Sequence, residues 1–324
     1  MGHRYTKLQR FRRLRSKSKD SLQVKQVEEA AADSINHANF SWLHGRKVSD
    51  EKNYVLPKDG VEFDRLTNLH LLWKYVLRGN HQAPLNPNMK NCLEICVGNG
   101  VWIKEMASQF PDCHFEGIDP DLSISSEDLP SNCTVTKGDY TALPYPNDHF
   151  DYIHCRLCFT WLPSNKIGPI LDEFKRVTKP EGWIEILELD LYPRNTGSYY
   201  DNWKGTWKLL NDSKLYDVKA IRSLGESLRT RNLVDVTDNS FSMPIGNYCG
   251  TIGKLWADHL QATFQSASGA VLEHMTMNLE DFNKFIENML DEFNEKQSFS
   301  NVHMVLGKKP KNEKQVETNQ EKLR

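Results

Sequence analysis

No uninterrupted apolar run in the 324 residues approaches the roughly 18–20 that a membrane span requires. The N-terminus lacks the apolar middle region of a secretory signal. The seven cysteines (Cys92, Cys96, Cys113, Cys133, Cys155, Cys158, Cys249) are an odd number and show no disulfide framework. They read as reduced thiols of an intracellular protein, cytoplasmic or nuclear. Cys155-Arg-Leu-Cys158 has the spacing of a redox or zinc pair but lacks a second pair, so no metal is expected. Nor is there a basic surplus in the body of the chain. The whole carries 41 Lys+Arg and 43 Asp+Glu, a net charge of −2. Residues 1–19 hold eight basic side chains (Arg4, Lys7, Arg10, Arg12, Arg13, Arg15, Lys17, Lys19) and no acid. Residues 308–324 hold six basic and three acidic, which leaves 27 basic and 40 acidic residues, a net of −13, between 20 and 307. A body of that charge is a poor match for nucleic acid, because phosphate contacts need clustered Lys and Arg.

What is present is a sizeable core in 14 Phe, 11 Tyr and 8 Trp. Residues 1–20 are expected to be a disordered basic arm and 308–324 a disordered tail. Residues 21–90 read as an N-terminal helical cover. It has a short helix over 21–35, an irregular stretch over 40–58, and a helix capped by Asp59 or Gly60 that runs to about Arg78, with Gly79 as a stop. From Asn91, strands and helices alternate. Strands are predicted at Cys92–Val97, His114–Asp119, Cys133–Lys137, Phe150–Cys155 and Trp183–Leu189, with a turn at Pro180–Gly182. Helices are predicted at Val101–Phe110 and Ile167–Thr178. This pattern implies an α/β fold with a doubly wound, mostly parallel sheet. Beyond Asp190, helices are predicted over 198–220, 223–231, 251–264 and 278–293. Leu233–Val236 and Val302–Leu306 are the remaining strands, making seven.

The informative stretch is Glu94-Ile-Cys-Val-Gly98-Asn99-Gly100. A buried strand that runs into a glycine turn and then a helix lets a ligand approach backbone N–H groups. A dinucleotide fingerprint wants a third glycine at 103, where this chain has Ile103. An NAD oxidoreductase is therefore disfavoured. Glu94, inside the strand, suits a cationic ligand such as a sulfonium with an amino group. Asp119, ending the second strand, can accept both hydroxyls of a ribose, and Asp139, ending the third, an adenine amino group.

With Gly117-Ile-Asp119, Gly138-Asp139, His149-Phe-Asp-Tyr-Ile-His154 and Lys179-Pro-Glu-Gly-Trp183, the stretch Asn91–Asp190 resembles the class I S-adenosylmethionine-dependent methyltransferases. Cys96 departs from the glycine usual at its position. Tyr54-Val-Leu-Pro-Lys-Asp59, Glu62-Phe-Asp-Arg-Leu66, Phe150–Arg156 and Trp183–Asp190 look, more narrowly, like the fungal LaeA-like group. The resemblance implies a Rossmann-like sheet, S-adenosyl-L-methionine as cofactor and S-adenosyl-L-homocysteine as product. It implies a cofactor half over about 91–190 and an acceptor half with helical lid insertions over about 191–307. It also implies that Glu94 orients the methionine amino group, that Gly98, Asn99 and Gly100 line the methionine, and that Asp119 holds the ribose. Asp139 and Tyr140 would hold the adenine, with His154, Cys155 and Arg156 facing the methyl group and acceptor. Tyr54, Pro57 and Arg65 are either neighbours of the ligand or packing residues of the N-terminal helix.

The implied reaction is in-line attack on a methyl group already activated by its sulfonium, so the protein mainly positions and excludes water. His154, Arg156, Glu188 and Asp190 are the candidate catalytic residues, with His154, Glu188 and Asp190 as possible bases. No Pro-Cys and no Asn/Asp-Pro-Pro-Tyr follows the fourth strand, and no paired-glutamate hairpin is evident. What remains is an O or N nucleophile of a small molecule or protein. Tyr199, Tyr200, Trp203, Trp207, Tyr216 and Trp256 either line an acceptor pocket or fill a core. The alternative is a cofactor-binding regulatory protein with a protein partner and little turnover. The basic arm reads as a solvated tail, a nuclear-targeting cluster, a mitochondrial presequence, or a myristoylated polybasic tether, the last being the only route to a membrane.

Overall fold

The computed structural model describes residues 40–43, 45–49, 56–190, 192–210, 218–272 and 276–311. The basic arm, the helix expected over 21–35 and most of the tail lie outside them. Seven strands form the central sheet: β1 (Asn91–Ile95), β2 (His114–Asp119), β3 (Cys133–Lys137), β4 (Phe150–Arg156), β5 (Thr178–Leu189), β6 (Val234–Pro244) and β7 (Phe299–Lys308). Their spatial order is β3-β2-β1-β4-β5-β7-β6. The first five are parallel, and β7 runs antiparallel between β5 and β6. The expected Rossmann-like, mostly parallel seven-stranded sheet is what the chain forms. Order reverses between β1 and β4, the switch point where open α/β sheets bind ligands at their carboxyl ends.

Strand alternation divides the core between two helical layers. Leu93, Ile95, Ile153 and Cys155 pack with α3 (Ser164–Val177), α5 (Val218–Arg222) and α6 (Leu224–Arg229). Cys92 and Tyr152 face the other side. That layer is built from α1 (Gly60–Leu77), α2 (Val101–Gln109), α4 (Ser198–Leu210), α7 (Gly250–Ser266), α8 (Ser268–Leu272) and α9 (Leu279–Glu295). Asp59 caps α1, accepting the Glu62 N–H at 3.0 Å. The stop falls one residue before the expected glycine, since Arg78 itself takes the left-handed conformation at φ 58°.

Three local expectations change. Phe40–Leu43 and Arg46–Ser49 are strands within the stretch read as irregular. The Pro180–Gly182 turn lies inside β5: its register with β4 jumps from Phe150↔Thr178 to Tyr152↔Trp183, looping out Lys179–Gly182. β6 runs on to Pro244 rather than ending at Val236. It is an edge strand of mostly exposed polar residues, so it carries little hydrophobic alternation to read. The aromatics Tyr200, Trp203 and Trp256 join the core instead of a pocket. Trp203 packs on Phe264 with centroids 4.8 Å apart, and Trp256 on Trp73 at 5.5 Å. Tyr199 packs on Phe285. The Trp207 side chain and Tyr216 lie outside the described residues.

The Trp73–Trp256 contact joins α1 to α7, and both indoles are fully buried. Trp73→Ala is expected to cost about 3–5 kcal/mol of unfolding free energy in urea titration. A cost under about 1 kcal/mol would show that α1 does not belong to the cooperative core.

Candidate functional site

At the carboxyl ends of β1–β4 lies a cavity of about 470 Å³, within the size range of small-molecule sites. Cys96 and Gly98 form one wall. Cys96 sits at φ 65°, left-handed backbone that normally favours glycine. Gly98 follows at φ 59°. The loop after β2 supplies Asp119, Pro120, Asp121 and Ser123, and the β3 end Lys137, Gly138, Asp139 and Tyr140. The segment after β4 adds Cys158, Trp161, Leu162, Pro163 and Lys166. Pro57, Lys58, Glu62, Phe63 and Leu66 cover it from the start of α1.

The glycines keep this edge tight. Gly100 opens α2 at φ 73°, and a Cβ there would lie 2.7 Å from Ile124 Cδ1. Asp119 is 8% exposed, with one carboxylate oxygen accepting the Gly98 N–H at 3.2 Å and the other the Asp121 N–H at 2.9 Å. Burial raises its pKa, against those N–H donors and the Lys58 charge. Each oxygen keeps a further lone pair for a ligand hydroxyl. Asp139 accepts from the Thr141 N–H at 3.0 Å and its hydroxyl at 2.8 Å, which hold the pKa below the usual carboxylate range. It shapes its own turn while lining the cavity. The Tyr140 hydroxyl is buried with no hydrogen-bond partner among the described residues.

Other candidates sit elsewhere. Asn99 turns away: its Nδ2 donates to Phe63 O at 2.9 Å and Thr67 Oγ1 at 2.8 Å, tying the turn to α1. Gly100 serves the helix start and does not line the cavity. Glu94 is buried beneath the turn, its pKa pushed well up by burial, with one oxygen unpartnered. His154 lies inside β4, stacked on Trp102 with ring centroids 3.7 Å apart. Burial and the Arg156 charge hold it neutral. Its alternation within the strand turns it toward α2, so it does not face the cavity. Arg156 contacts His70 Nδ1 at 3.2 Å. Asp190 is ion-paired with Arg222 and with His303 Nε2 at 3.3 Å. Glu188 accepts the N–H groups of Cys158 and Phe159, each at 2.7 Å, and the Thr160 hydroxyl at 3.2 Å. It braces the loop that lines the cavity.

The helical cover supplies lining residues that the Glu62–Leu66 motif contains but to which the sequence assigned no role. Pro57 lines the cavity, Arg65 does not, and Tyr54 is outside the described residues. Glu62, Phe63 and Leu66 share one helical face, a spacing visible in the sequence. Arg65 instead grips Glu62 at 2.8 Å and Thr263 Oγ1 at 3.1 Å, linking α1 to α7. Lys58 bonds the Asp121 carbonyl and carboxylate, closing the cover onto the β2 loop.

A family model described as a methyltransferase domain matches residues 92–182. Over that stretch the chain resembles the class I S-adenosylmethionine-dependent methyltransferases. The chain is 28% identical over 159 residues, 46% of this chain and 39% of the relative, to the secondary metabolism regulator laeA of Coprinopsis cinerea. It is 29% identical over 162 residues, 48% and 55%, to the N-methyltransferase verN of Clonostachys rogersoniana. The matched part of the chain thus spans about half or less of these relatives' length. The phosphoethanolamine N-methyltransferase 2 of Haemonchus contortus, solved with S-adenosylhomocysteine, superposes with a TM-score of 0.50 at 16% identity. That alignment covers 76% of this chain and 53% of the other, and shows the shared fold.

The cavity's lining has groups that suit S-adenosylmethionine. A left-handed glycine and a buried carboxylate stand at the β1 and β2 ends, and a buried hydroxyl at the β3 end. No helix among the described residues is long and apolar enough to cross a membrane.

Burial raises the Glu188 pKa to about 7 from 4.5. The folded protein therefore holds this proton more tightly than the unfolded chain does. The associated stability is fully present below pH about 4.5 and is lost as pH rises through about 7. Relative to Glu188→Gln, the wild-type unfolding free energy should fall by roughly 2.5 kcal/mol between pH 5 and 8. Parallel pH curves for the two proteins would contradict the assignment.

Proposed function

We propose that the protein is an S-adenosylmethionine-dependent methyltransferase acting on an O or N nucleophile of a small molecule or protein. The observation that carries this is the cavity edge where Gly98, Asp119 and Tyr140 converge under the α1 cover. When bound, S-adenosylmethionine supplies a methyl group activated by positive sulfur. The chain's task is then to hold, orient and dry the site. Asp119 anchors the sugar, and Tyr140 and Asp139 bound the base. The Lys58–Asp121 contact holds Phe63 and Leu66 over the opening against water.

The candidate bases are engaged in structure: Glu188 with its loop, Asp190 with Arg222 and His303, and His154 with Trp102. Glu62, on the cavity wall, is held by Arg65. This favours an acceptor that needs no protein base, such as a neutral amine or an already ionised oxygen. The same engagement favours a second reading, a cofactor-binding regulator with little turnover, in line with the laeA relative's description as a secondary metabolism regulator.

Incubation with methyl-labelled S-adenosylmethionine and cell extract tests the proposal. Label transferred to an acceptor, with a rate that follows the acceptor's own ionisation, supports the enzyme. Cofactor binding without S-adenosylhomocysteine from any fraction favours the regulator, and no binding defeats both. In calorimetry, Asp119→Asn should lower cofactor affinity on the order of 100-fold, because hydrogen bonds to a charged acceptor are lost. Unchanged affinity would place the ribose elsewhere.

A further inference from the structure

One face of α1 packs inward, burying Glu62, Arg65, Leu69, His70, Leu72 and Trp73. The opposite face leaves large apolar side chains in water: Val61 is 63% exposed, Leu71 50% and Tyr75 62%. At 3.6 residues per turn these three fall with Asp64, Asn68 and Arg78 in a single stripe about 100° wide. Monomeric surfaces carry scattered apolar residues, but three aligned along one helix form a patch. Its ends differ in charge, Asp64 toward the start and Arg78 at the close. Neither has an ion-pair partner among the described residues.

We propose that this stripe is a self-association surface, on which the α1 of a second copy of the chain docks antiparallel with Leu71 on the two-fold axis. An acid at one end, a base at the other and an apolar centre complement an identical stripe only when the copy is reversed. Parallel docking would set Asp64 against Asp64 and Arg78 against Arg78. In the reversed arrangement Asp64 of each copy faces Arg78 of the other. Leu71 is seven residues from both, so it meets its own copy across the axis, the isologous geometry of a two-fold dimer. One helix per copy is a small interface, so the dimer dissociates on dilution. The inference is independent of the cofactor cavity, which lies on other α1 residues.

Sedimentation equilibrium of the full chain from about 1 to 200 μM should show a reversible monomer–dimer equilibrium, following the weak-interface class. Leu71→Glu should give monomer throughout. Asp64→Arg and Arg78→Asp should each weaken association at least about tenfold, since either one breaks both symmetry-related charge pairs, and the double reversal should restore it. Circular dichroism confirms that these surface variants fold. In a Cys249→Ser background, oxidised Leu71→Cys should link two copies. Asp64→Cys should not, because seven residues on either side of the axis separate its copies by about 20 Å. A wild type that stays monomeric overturns the proposal, including one whose residues 1–39 cross-link to the stripe in the same chain. So do a dimer indifferent to Leu71→Glu and a double reversal that fails to restore association. Efficient linking at position 64 overturns the register.

Discussion

A buried or half-buried carboxylate that accepts two backbone N–H groups is the recurring device of this fold. Asp119 takes those of Gly98 and Asp121. Glu188 takes Cys158 and Phe159, and Glu185 takes Gln82 at 2.9 Å and Ala83 at 2.8 Å. Asp151 takes Lys90 and Asn91, both at 2.9 Å. Each pins a connecting segment to a strand. Loop N–H groups would otherwise be stranded without partners, and charge-assisted bonds are the strong way to satisfy them. The Asp119 staple matters most, since it locks the turn after β1 to the loop after β2, and Lys58 fastens the α1 cover to that loop.

This use of acids recasts the net charge of −13 over residues 20–307. Several of those acids are internal staples, and their function is geometric. The cavity edge is rigid because its carboxylates are already bonded to backbone, and Asp119 can hold sugar hydroxyls while keeping both N–H contacts. Rigidity has a chemical consequence. Acids locked in this way are poorly placed to shuttle protons, which fits a reaction whose leaving group is already activated and whose enzyme supplies position and dryness.

The sheet and its ligand edge were legible because parallel strands are buried on both faces. Leu93–Ile95, Phe115–Ile118 and Ile184–Leu187 read as mostly apolar stretches, each holding a single glutamate, and glycines marked the turn. The placement of Asp119 and the β3 end on the cavity followed from strand-end position alone. His154 was not legible: alternation along β4 turns it away from the rim, onto the face beneath Trp102. Asn99 and Gly100 belong to the motif but serve the α1 contact and the helix start. Glu188 and Asp190 show ionisable side chains in sequence, while their partners, Cys158–Thr160, Arg222 and His303, come from distant segments. The α1 contribution was half visible. Pro57 was named, but Glu62, Phe63 and Leu66 needed the helix orientation that Asp59 and Trp73 impose.

The central claim is that the cavity ringed by Cys96, Asp119, Tyr140 and Phe63 holds the methyl donor. Hydrogen–deuterium exchange with and without S-adenosylmethionine tests it most directly. Slowed exchange should concentrate at residues 57–66, 96–100, 119–123, 137–140 and 158–163. Unchanged exchange in all five segments would contradict it.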